Sequence, residues 1–465
     1  MTVELLPNEA IPLEDEVRLR SASESGGERE SHRGRALLRL SPRPSLELRS
    51  SSEKSFALPN DAVLKWPAND DEAFFATSMK TTSGENGPRA EVTWCPRRQP
   101  VLIRRLAEPV REIHFHVLNF PSFNGQGDEV RESAMGGLSS HGRVEAQAGS
   151  WVVDLREVAN LRKIAGNLDE SQGFALTHRG RIVRSTGATI DTEEACLFLD
   201  VLDDFLSFAR GSCCSLGLVE ARTENGCVAW ERWGCRRVDP WRPARSWFDS
   251  QHGEILEKAL PGFWRVASAS SDERAALHQA MYWYVRSDWR QSGVDGGLIL
   301  MQAALERLAH TFYRAKNAKK QPAALWLESA LAKWGVPVDL PPNLRALAAY
   351  MNSVTKGNDA RRATLALTKL RNNTVHPVKA PVTSGAYYEA WELARWLIEL
   401  SVLTLDRLSG ELRESRDQEV PRASRSRSLG TNDIAPASLA STTETCPSTL
   451  ESYGQSGDEA ELPGG

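Results

Sequence analysis

A segment late in the chain, Arg371-Asn372-Asn373-Thr374-Val375-His376, combines residue types that could act on a phosphate ester. Histidine titrates near neutral pH, so it can take up or release a proton during a reaction. The planar guanidinium of arginine binds phosphate oxygens as a fork and can stabilise the negative charge that develops on them. The two asparagines add amide donors and acceptors beside these groups.

Spacing alone does not distinguish this segment from the rest of the chain. An arginine also precedes a histidine at similar spacing in the pairs Arg111/His116 and Arg245/His252. Arg111 and His116 are five positions apart in a predicted strand, so their side chains leave on opposite faces. Arg245 and His252 lie in an irregular stretch rich in Trp and Pro. We therefore interpret both of these pairs as coincidences.

Context favours the third pair, Arg371 and His376, because it stands at the end of a predicted helix. On a continuous helix the two side chains would point about 140° apart, at about 100° per residue. Pro377 follows His376 and disfavours the helical conformation there, which would let both side chains point to one place. A simpler interpretation stays open, in which Arg371 pairs with a carboxylate or a helix C-terminus and His376 caps the last carbonyls.

A helical bundle with R-N-x-x-x-H at the end of its penultimate core helix, followed by a long final helix, resembles the HEPN superfamily (higher eukaryotes and prokaryotes nucleotide-binding domains). The resemblance covers about residues 268–410. It implies a metal-independent ribonuclease site, formed where two domains meet across a dimer axis. The catalytic residues that it implies are Arg371, Asn372 and His376.

Two further residues are candidates for a supporting part in such a site. HEPN-like proteins often carry an acidic residue on an earlier helix, and Glu306 lies in a polar row with Gln302 and His310 at four-residue spacing. Glu306 could position Arg371, although a solvated helix face with a Glu–His pair explains the row at least as well. Asn373 is the second supporting candidate.

The resemblance therefore implies a metal-independent endoribonuclease that binds RNA, uses no cofactor or metal, and acts as a homodimer through its helical domain. HEPN proteins are frequent in toxin–antitoxin and antiviral defence systems. The implied role is an anti-phage or toxin effector, with an antitoxin or phage trigger that the sequence does not identify. The alternative is a non-catalytic HEPN-like domain that binds nucleotide or RNA or serves as a dimerisation scaffold.

Composition restricts the other classes of function. The net charge of −4 means that no global basic field attracts nucleic acid or membrane, so RNA must meet a local patch. We find no signal-peptide pattern and no apolar run near the roughly 18–20 residues that span a bilayer, and we expect a cytoplasmic protein. The motifs of P-loop NTPases, Rossmann dehydrogenases, α/β-hydrolases and zincins are missing. The seven cysteines lack C-x-x-C spacing, so we interpret them as small buried hydrophobes rather than metal ligands.

The fold class predicted for the chain is α+β, with a mainly antiparallel β-rich domain followed by an all-α HEPN-like helical bundle. Residues 1–55 and 411–465 lack hydrophobic periodicity, so we predict a disordered N-terminal segment and a disordered tail. Residues 56–265 form the β-rich domain, a candidate sensor of unknown role. Residues 266–410 form the HEPN-like domain.

Local signals predict several elements of the β-rich domain. Alternation around Phe115 indicates a strand, and Arg179-Gly180 and Asn225-Gly226 each indicate a hairpin turn. A capping pattern at Asp191 opens a helix that Gly211 can close.

In the helical domain, a capping box at Ser270 opens the first predicted helix. Apolar residues at spacings of three and four then form a stripe that faces the core, namely Leu298, Met301, Leu305, Leu308 and Phe312. Four more helices are predicted near residues 323–334, 343–354, 359–375 (with Asp359 as its cap) and 387–408.

Overall fold

Strands dominate the first half of the chain and helices the second, as the sequence predicted. The computed structural model describes residues 7–21, 31–52, 63–66, 69–84, 87–125, 131–132, 138–139, 142–313, 322–376 and 382–419.

The first sheet is a closed barrel of six antiparallel strands in the order β1-β2-β3-β6-β5-β4. Its strands are β1 (Ile11–Ser21), β2 (Ser31–Arg39), β3 (Ser45–Ser52), β4 (Val63–Trp66), β5 (Asn69–Gly84) and β6 (Gly87–Pro96).

The prediction of a disordered segment over residues 1–55 is wrong for residues 11–21, 31–39 and 45–52, which are barrel strands. In β3, Leu46 and Leu48 are buried and alternate with Glu47 and Arg49, which form an ion pair at 3.1 Å. A period of two is enough for a strand whose backbone is paired on both sides. The high content of Ser and Arg led us to predict disorder in place of these strands.

The second sheet has seven antiparallel strands in the order β11-β12-β13-β8-β14-β15-β7. Its strands are β7 (Val101–Arg104), β8 (Val110–Leu118), β11 (Arg143–Ala148), β12 (Trp151–Glu157), β13 (Leu176–Arg184), β14 (Ser215–Thr223) and β15 (Val228–Trp233). A separate two-stranded sheet pairs β9 (Arg131–Glu132) with β10 (Leu138–Ser139). Helices α1 (Leu161–Ser171) and α2 (Thr192–Arg210) connect strands of the seven-stranded sheet.

The strand predicted around Phe115 is confirmed as β8. The hairpin at Asn225-Gly226 is confirmed, with Gly226 at a φ of 78° between β14 and β15. The helix after Asp191 is confirmed, since its carboxylate accepts from two backbone N–H groups of α2 and Gly211 ends the helix at a φ of 74°. The hairpin at Arg179-Gly180 is wrong, because both residues lie inside the continuous strand β13. A glycine is needed at position 180 because an added Cβ would lie 2.1 Å from the ring of Phe115.

The helices of the second half are α3 (Glu254–Ala269), α4 (Ser271–Arg286), α5 (Trp289–Phe312), α6 (Ala323–Lys333), α7 (Arg345–Val354), α8 (Ala363–Val375) and α9 (Ser384–Glu419). Ser270 caps α4 as predicted, and all five residues of the predicted apolar stripe on α5 are buried. Asp359 does not cap α8. It lies in a 3-10 helix, Gly357–Arg361, and Arg362 stands at the cap position.

The predicted limits of the helical domain differ from the structure at both ends. The boundary between residues 265 and 266 falls inside α3, because the Trp- and Pro-rich stretch before it conceals the start of that helix. At the other end α9 continues to Glu419, so residues 411–419 of the predicted disordered tail are helical. The remainder of that prediction, residues 420–465, lies outside the described residues.

One hydrophobic core runs without a break from Val110 in β8 to Leu405 in α9. Aromatic rings join its two halves: the centroid of Phe208 on α2 lies 6.1 Å from that of Phe263 on α3 and 5.4 Å from that of Tyr284 on α4. The sheet and the helices therefore pack as parts of one compact unit, residues 1–416. Within the described residues, no helix is both long enough and apolar enough to cross a membrane.

Candidate functional site

The C-terminal end of α8 carries the segment that the sequence singled out. The helix ends at Val375, and His376 follows with φ −129° and ψ 82°, outside the helical region. Its backbone N–H still donates to the carbonyl oxygen of Asn372 at 2.7 Å. The release of His376 from the helix is therefore confirmed. Pro377, to which we attributed it, lies outside the described residues.

Arg371 and Asn372 interact directly. Nη1 of Arg371 donates a hydrogen bond to Oδ1 of Asn372 at 3.1 Å on the exposed side of α8. No ion pair between Arg371 and a carboxylate occurs in the part of the chain that the structure describes, which argues against the simpler interpretation of the arginine. The guanidinium is thus held by a neutral neighbour and keeps its remaining donors available.

The exposed imidazole of His376 forms no hydrogen bond with any described residue, so it does not cap carbonyls of that part of the chain. It also forms no hydrogen bond with Arg371. The structure of one chain therefore brings the side chains of Arg371 and Asn372 together, and the side chain of His376 forms no hydrogen bond with either of them. A reaction that needs both groups would require RNA or a second chain between them.

The two supporting candidates have other partners. Nδ2 of Asn373 donates to the hydroxyl of Tyr387 at 3.0 Å, which links α8 to α9. Glu306 accepts a hydrogen bond from Nε2 of Gln302 at 2.9 Å, one turn earlier on α5. No hydrogen bond or ion pair joins Glu306 to Arg371 among the described residues. Neither of these two hydrogen bonds involves Arg371.

The helix itself is a rigid support for the segment. The inner face of α8 is fully buried through Ala363, Ala366, Leu367 and Leu370. Burial of several apolar side chains fixes the helix in rotation and translation. The exposed end that carries Arg371 therefore has a fixed position on the surface.

A second group of ionisable residues, which the sequence did not reveal, lines a cleft of about 590 Å³. We call it the cationic cleft, because four arginines and two aspartates line it: Arg98, Arg232, Arg236, Arg274, Asp200 and Asp204. These residues come from the segment before β7, from α2, from the end of β15 and its continuation, and from α4. Sequence reasoning missed them because only the fold brings these separate segments together. The one local signal is the four-residue spacing of Asp200 and Asp204 on α2.

Of the six cysteines that the structure describes, Cys213, Cys214 and Cys235 are buried as predicted, whereas Cys227 is exposed and Cys95 and Cys196 are partly exposed, so the interpretation as buried hydrophobes is wrong for Cys227. Burial raises the pKa of the Cys213 and Cys214 thiols to about 12, so both stay protonated at neutral pH.

Two histidines lie on β8. His114 pairs with Glu112 at 2.8 Å, and burial lowers the pKa of His116. Among the described residues no group of three or more His, Cys, Asp or Glu side chains could hold a metal ion.

Two family models match the chain. Residues 107–244, which include most of the seven-stranded sheet, match the YopA central domain, and residues 270–419, which include α4 to α9, match the YopA C-terminal domain. The chain is also 24% identical over 282 residues to a Bacillus subtilis (strain 168) protein described as SPbeta prophage-derived uncharacterized protein YopA. That match covers 58% of this chain and spans 60% of the length of the relative. None of the three descriptions names an activity.

Proposed function

We propose that the chain is a metal-independent endoribonuclease of HEPN type, with Arg371, Asn372 and His376 as its catalytic residues. The observation that carries the proposal is the end of α8. There Asn372 orients an arginine that has no carboxylate partner among the described residues, and a histidine leaves the helix beside it. An ion-paired arginine would be a packing residue. This one remains available for a phosphate.

The residue types fit RNA cleavage through the neighbouring hydroxyl group. A basic histidine removes the proton of the 2′-OH as that oxygen attacks phosphorus, and a protonated histidine gives a proton to the departing 5′-oxygen. Arg371 stabilises the additional negative charge of the pentavalent phosphorus. The products are a 2′,3′-cyclic phosphate and a 5′-hydroxyl end.

This reaction requires two proton-transfer groups, and each chain contributes one His376. Two chains related by a two-fold axis would supply both, so we propose a homodimer through the helices. Apolar exposure supports this arrangement: Trp396 and Leu403 lie seven residues apart on α9, are 36% and 37% exposed, and therefore face the same way. Val375, next to His376, is 44% exposed. A second copy would bury these side chains.

The biological part of the proposal rests on the relative. Its description as prophage-derived leads us to extend the proposal to a toxin or anti-phage effector that acts in the cytoplasm. In this scheme the barrel and the seven-stranded sheet recognise a trigger or an antitoxin. Expression that harms a bacterial host, with relief by His376→Ala, is the expected phenotype.

The direct test uses the purified full-length chain with tRNA and mRNA in the presence of EDTA. We expect cleavage by the wild type and a loss of about 10²-fold or more in His376→Ala, which is the scale of general acid–base catalysis. His252→Ala is the matched control, because His252 is also exposed and belongs to a coincidental Arg–His pair. Undiminished cleavage by His376→Ala would exclude the proposal.

A non-catalytic RNA- or nucleotide-binding domain is the second candidate. The observation in its favour is that the Arg371 and His376 side chains form no hydrogen bond with each other. This candidate predicts that the wild type binds RNA without cutting it, that Arg371→Gln weakens binding, and that His376→Ala leaves binding unchanged. The endoribonuclease predicts cleavage that both substitutions abolish.

A further inference from the structure

The cationic cleft lies between the sheet and the helices. Every segment that lines it is far from Arg371 and His376 in the sequence. We propose that this cleft binds a small phosphate-bearing ligand of nucleotide size. Its volume of about 590 Å³ lies within the range of about 300–1,000 Å³ that is typical of small-molecule sites.

The charges in the cleft favour an anion. Arg232 pairs with Asp200 at 2.9 Å, and Arg236 pairs with Asp204 at 3.0 Å. Arg98 and Arg274 also line the cleft, and neither has a carboxylate partner among the described residues. The cleft therefore carries an excess of positive charge in a chain whose net charge is −4. Guanidinium groups bind phosphate oxygens through paired hydrogen bonds, so phosphate fits this excess.

Arg232 adds a second, independent indication. Its side chain is 6% exposed, and only one of its terminal nitrogens is used by Asp200. The other terminal nitrogen, Nη1, is buried and has no hydrogen-bond partner. An unpaired donor on a buried charged group is energetically unfavourable unless something else satisfies it. Arg232 lines the cleft, so an anion there would satisfy this nitrogen after a rotation of the guanidinium, because Nη1 itself has almost no exposed surface.

The orientation of α4 supports the same conclusion. Ser271, Arg274, Ala275 and His278 line the cleft at spacings of three and four, so the first two turns of one face of α4 form its wall. A helix N-terminus carries a partial positive charge that attracts phosphate. The helix thus adds its dipole to the charge of Arg274.

Most of the remaining wall is apolar, which favours a ligand that has an apolar part over a simple inorganic anion. Leu102, Leu197, Val201 and Pro100 line the cleft beside the arginines. An aromatic base or another flat apolar group would bury this surface, while its phosphates reach the cations. This combination of one cationic and one apolar side is why we infer a nucleotide-like ligand.

Isothermal titration of the full-length chain tests the inference with ATP, GTP, pyrophosphate and adenosine as probes. Arg98 is exposed and Arg274 is partly exposed, so Arg98→Gln/Arg274→Gln should fold normally, which circular dichroism checks. Arg162→Gln on α1 is the control, because Arg162 is exposed and does not line the cleft. We expect a triphosphate to bind, the double variant to bind it at least tenfold more weakly, and the control to match the wild type.

Two results would overturn the inference. One is that neither the triphosphates nor pyrophosphate bind the wild type. The other is that the double variant keeps full affinity. Pyrophosphate binding as tight as that of the triphosphates would overturn the nucleotide part, because the apolar wall would then contribute nothing. The readout is binding alone, so it is independent of whether His376 supports RNA cleavage.

Discussion

Nη1 of Arg371 donates a hydrogen bond to Oδ1 of Asn372, its neighbour in the chain, over 3.1 Å. The pair is exposed, so it contributes little to folding and restricts the rotamers of the arginine. If Arg371 stabilises a transition state, loss of this restriction should slow the reaction, because catalysis depends on groups that are oriented in advance.

We therefore expect Asn372→Ala to reduce RNA cleavage by about tenfold, a loss of about 1.4 kcal/mol of transition-state stabilisation, with an unchanged melting temperature. Single-turnover cleavage rates measure the effect. Asn343→Ala, at another exposed asparagine of the helical half, should cleave like the wild type. Equal rates for Asn372→Ala and the wild type would mean that Asn372 does not position the arginine.

The position of His376 outside the helix was predictable from the sequence, because a proline limits the residue before it through local sterics. The hydrogen-bond partners of Glu306 and Asn373 were not predictable from the sequence. Each depends on where α5, α8 and α9 lie relative to one another, and side-chain type does not encode that. The prediction of a hairpin at Arg179-Gly180 was wrong for the same reason. The glycine is needed because the ring of Phe115 on the neighbouring strand leaves no space for a Cβ, and not because the chain turns there.

The hydrogen bond from Asn373 to the Tyr387 hydroxyl should contribute to the packing of α8 on α9. Asn373→Ala and Tyr387→Phe should each reduce the free energy of unfolding by about 1 kcal/mol, the usual net value of a partly buried hydrogen bond. The free energy of unfolding of the double variant should decrease by less than the sum of the two single losses, since both substitutions remove the same hydrogen bond. Urea denaturation of the four proteins measures the coupling, and strictly additive losses would show that the bond is not stabilising.

Gly180 provides a test of the close approach between β13 and β8. An alanine Cβ would lie 2.1 Å from Cζ of Phe115, which is fully buried, so Gly180→Ala should cost about 1–3 kcal/mol of stability. Gly166 in α1 is the matched control, because a Cβ there meets nothing within 4 Å. Gly166→Ala should stabilise the protein by about 0.5–1 kcal/mol, since alanine favours a helix. Thermal denaturation distinguishes the opposite signs.

The cationic cleft shows where sequence reasoning reaches its limit. Arg98, Asp200, Arg232 and Arg274 come from four separate segments, and none of them stands in a motif. The barrel illustrates a different limit, because its polar composition suggested disorder while Leu46 and Leu48 already carried the alternation of a strand. Composition averages over a segment, whereas a strand needs only every second residue to be apolar.

His178 should make the protein sensitive to acid. Its ring stacks on Phe123 with centroids 5.4 Å apart, and complete burial lowers its pKa to about 3. Below about pH 6.5 the imidazole of His178 binds a proton in the unfolded chain but not in the folded chain. The free energy of unfolding therefore decreases as the pH falls from 6.5 towards 3. In His178→Phe this loss, on the order of 3 kcal/mol between pH 7.5 and pH 4.5, should disappear. Urea denaturation at pH 7.5 and 4.5 measures it, with the exposed His252→Gln as control.

Asp203 should contribute a pH dependence of opposite sign. It is fully buried on α2, and Oδ1 accepts from the backbone N–H of Leu216 at 2.5 Å. Burial raises the pKa of its carboxyl to about 7. Between about pH 4 and pH 7 the folded chain keeps a proton that the unfolded chain releases, so this contribution to stability decreases as the pH rises through that window.

Asp203→Asn removes the titration and retains an oxygen that can accept from Leu216. The free energy of unfolding of the variant, relative to the wild type, should therefore increase from pH 4.5 to pH 7.5 by about 3 kcal/mol. The exposed Asp272→Asn, on the first turn of α4, should show no such trend. A constant difference between Asp203→Asn and the wild type across this range would mean that Asp203 is already ionised in the folded protein, stabilised by the nearby Arg232 and Arg236.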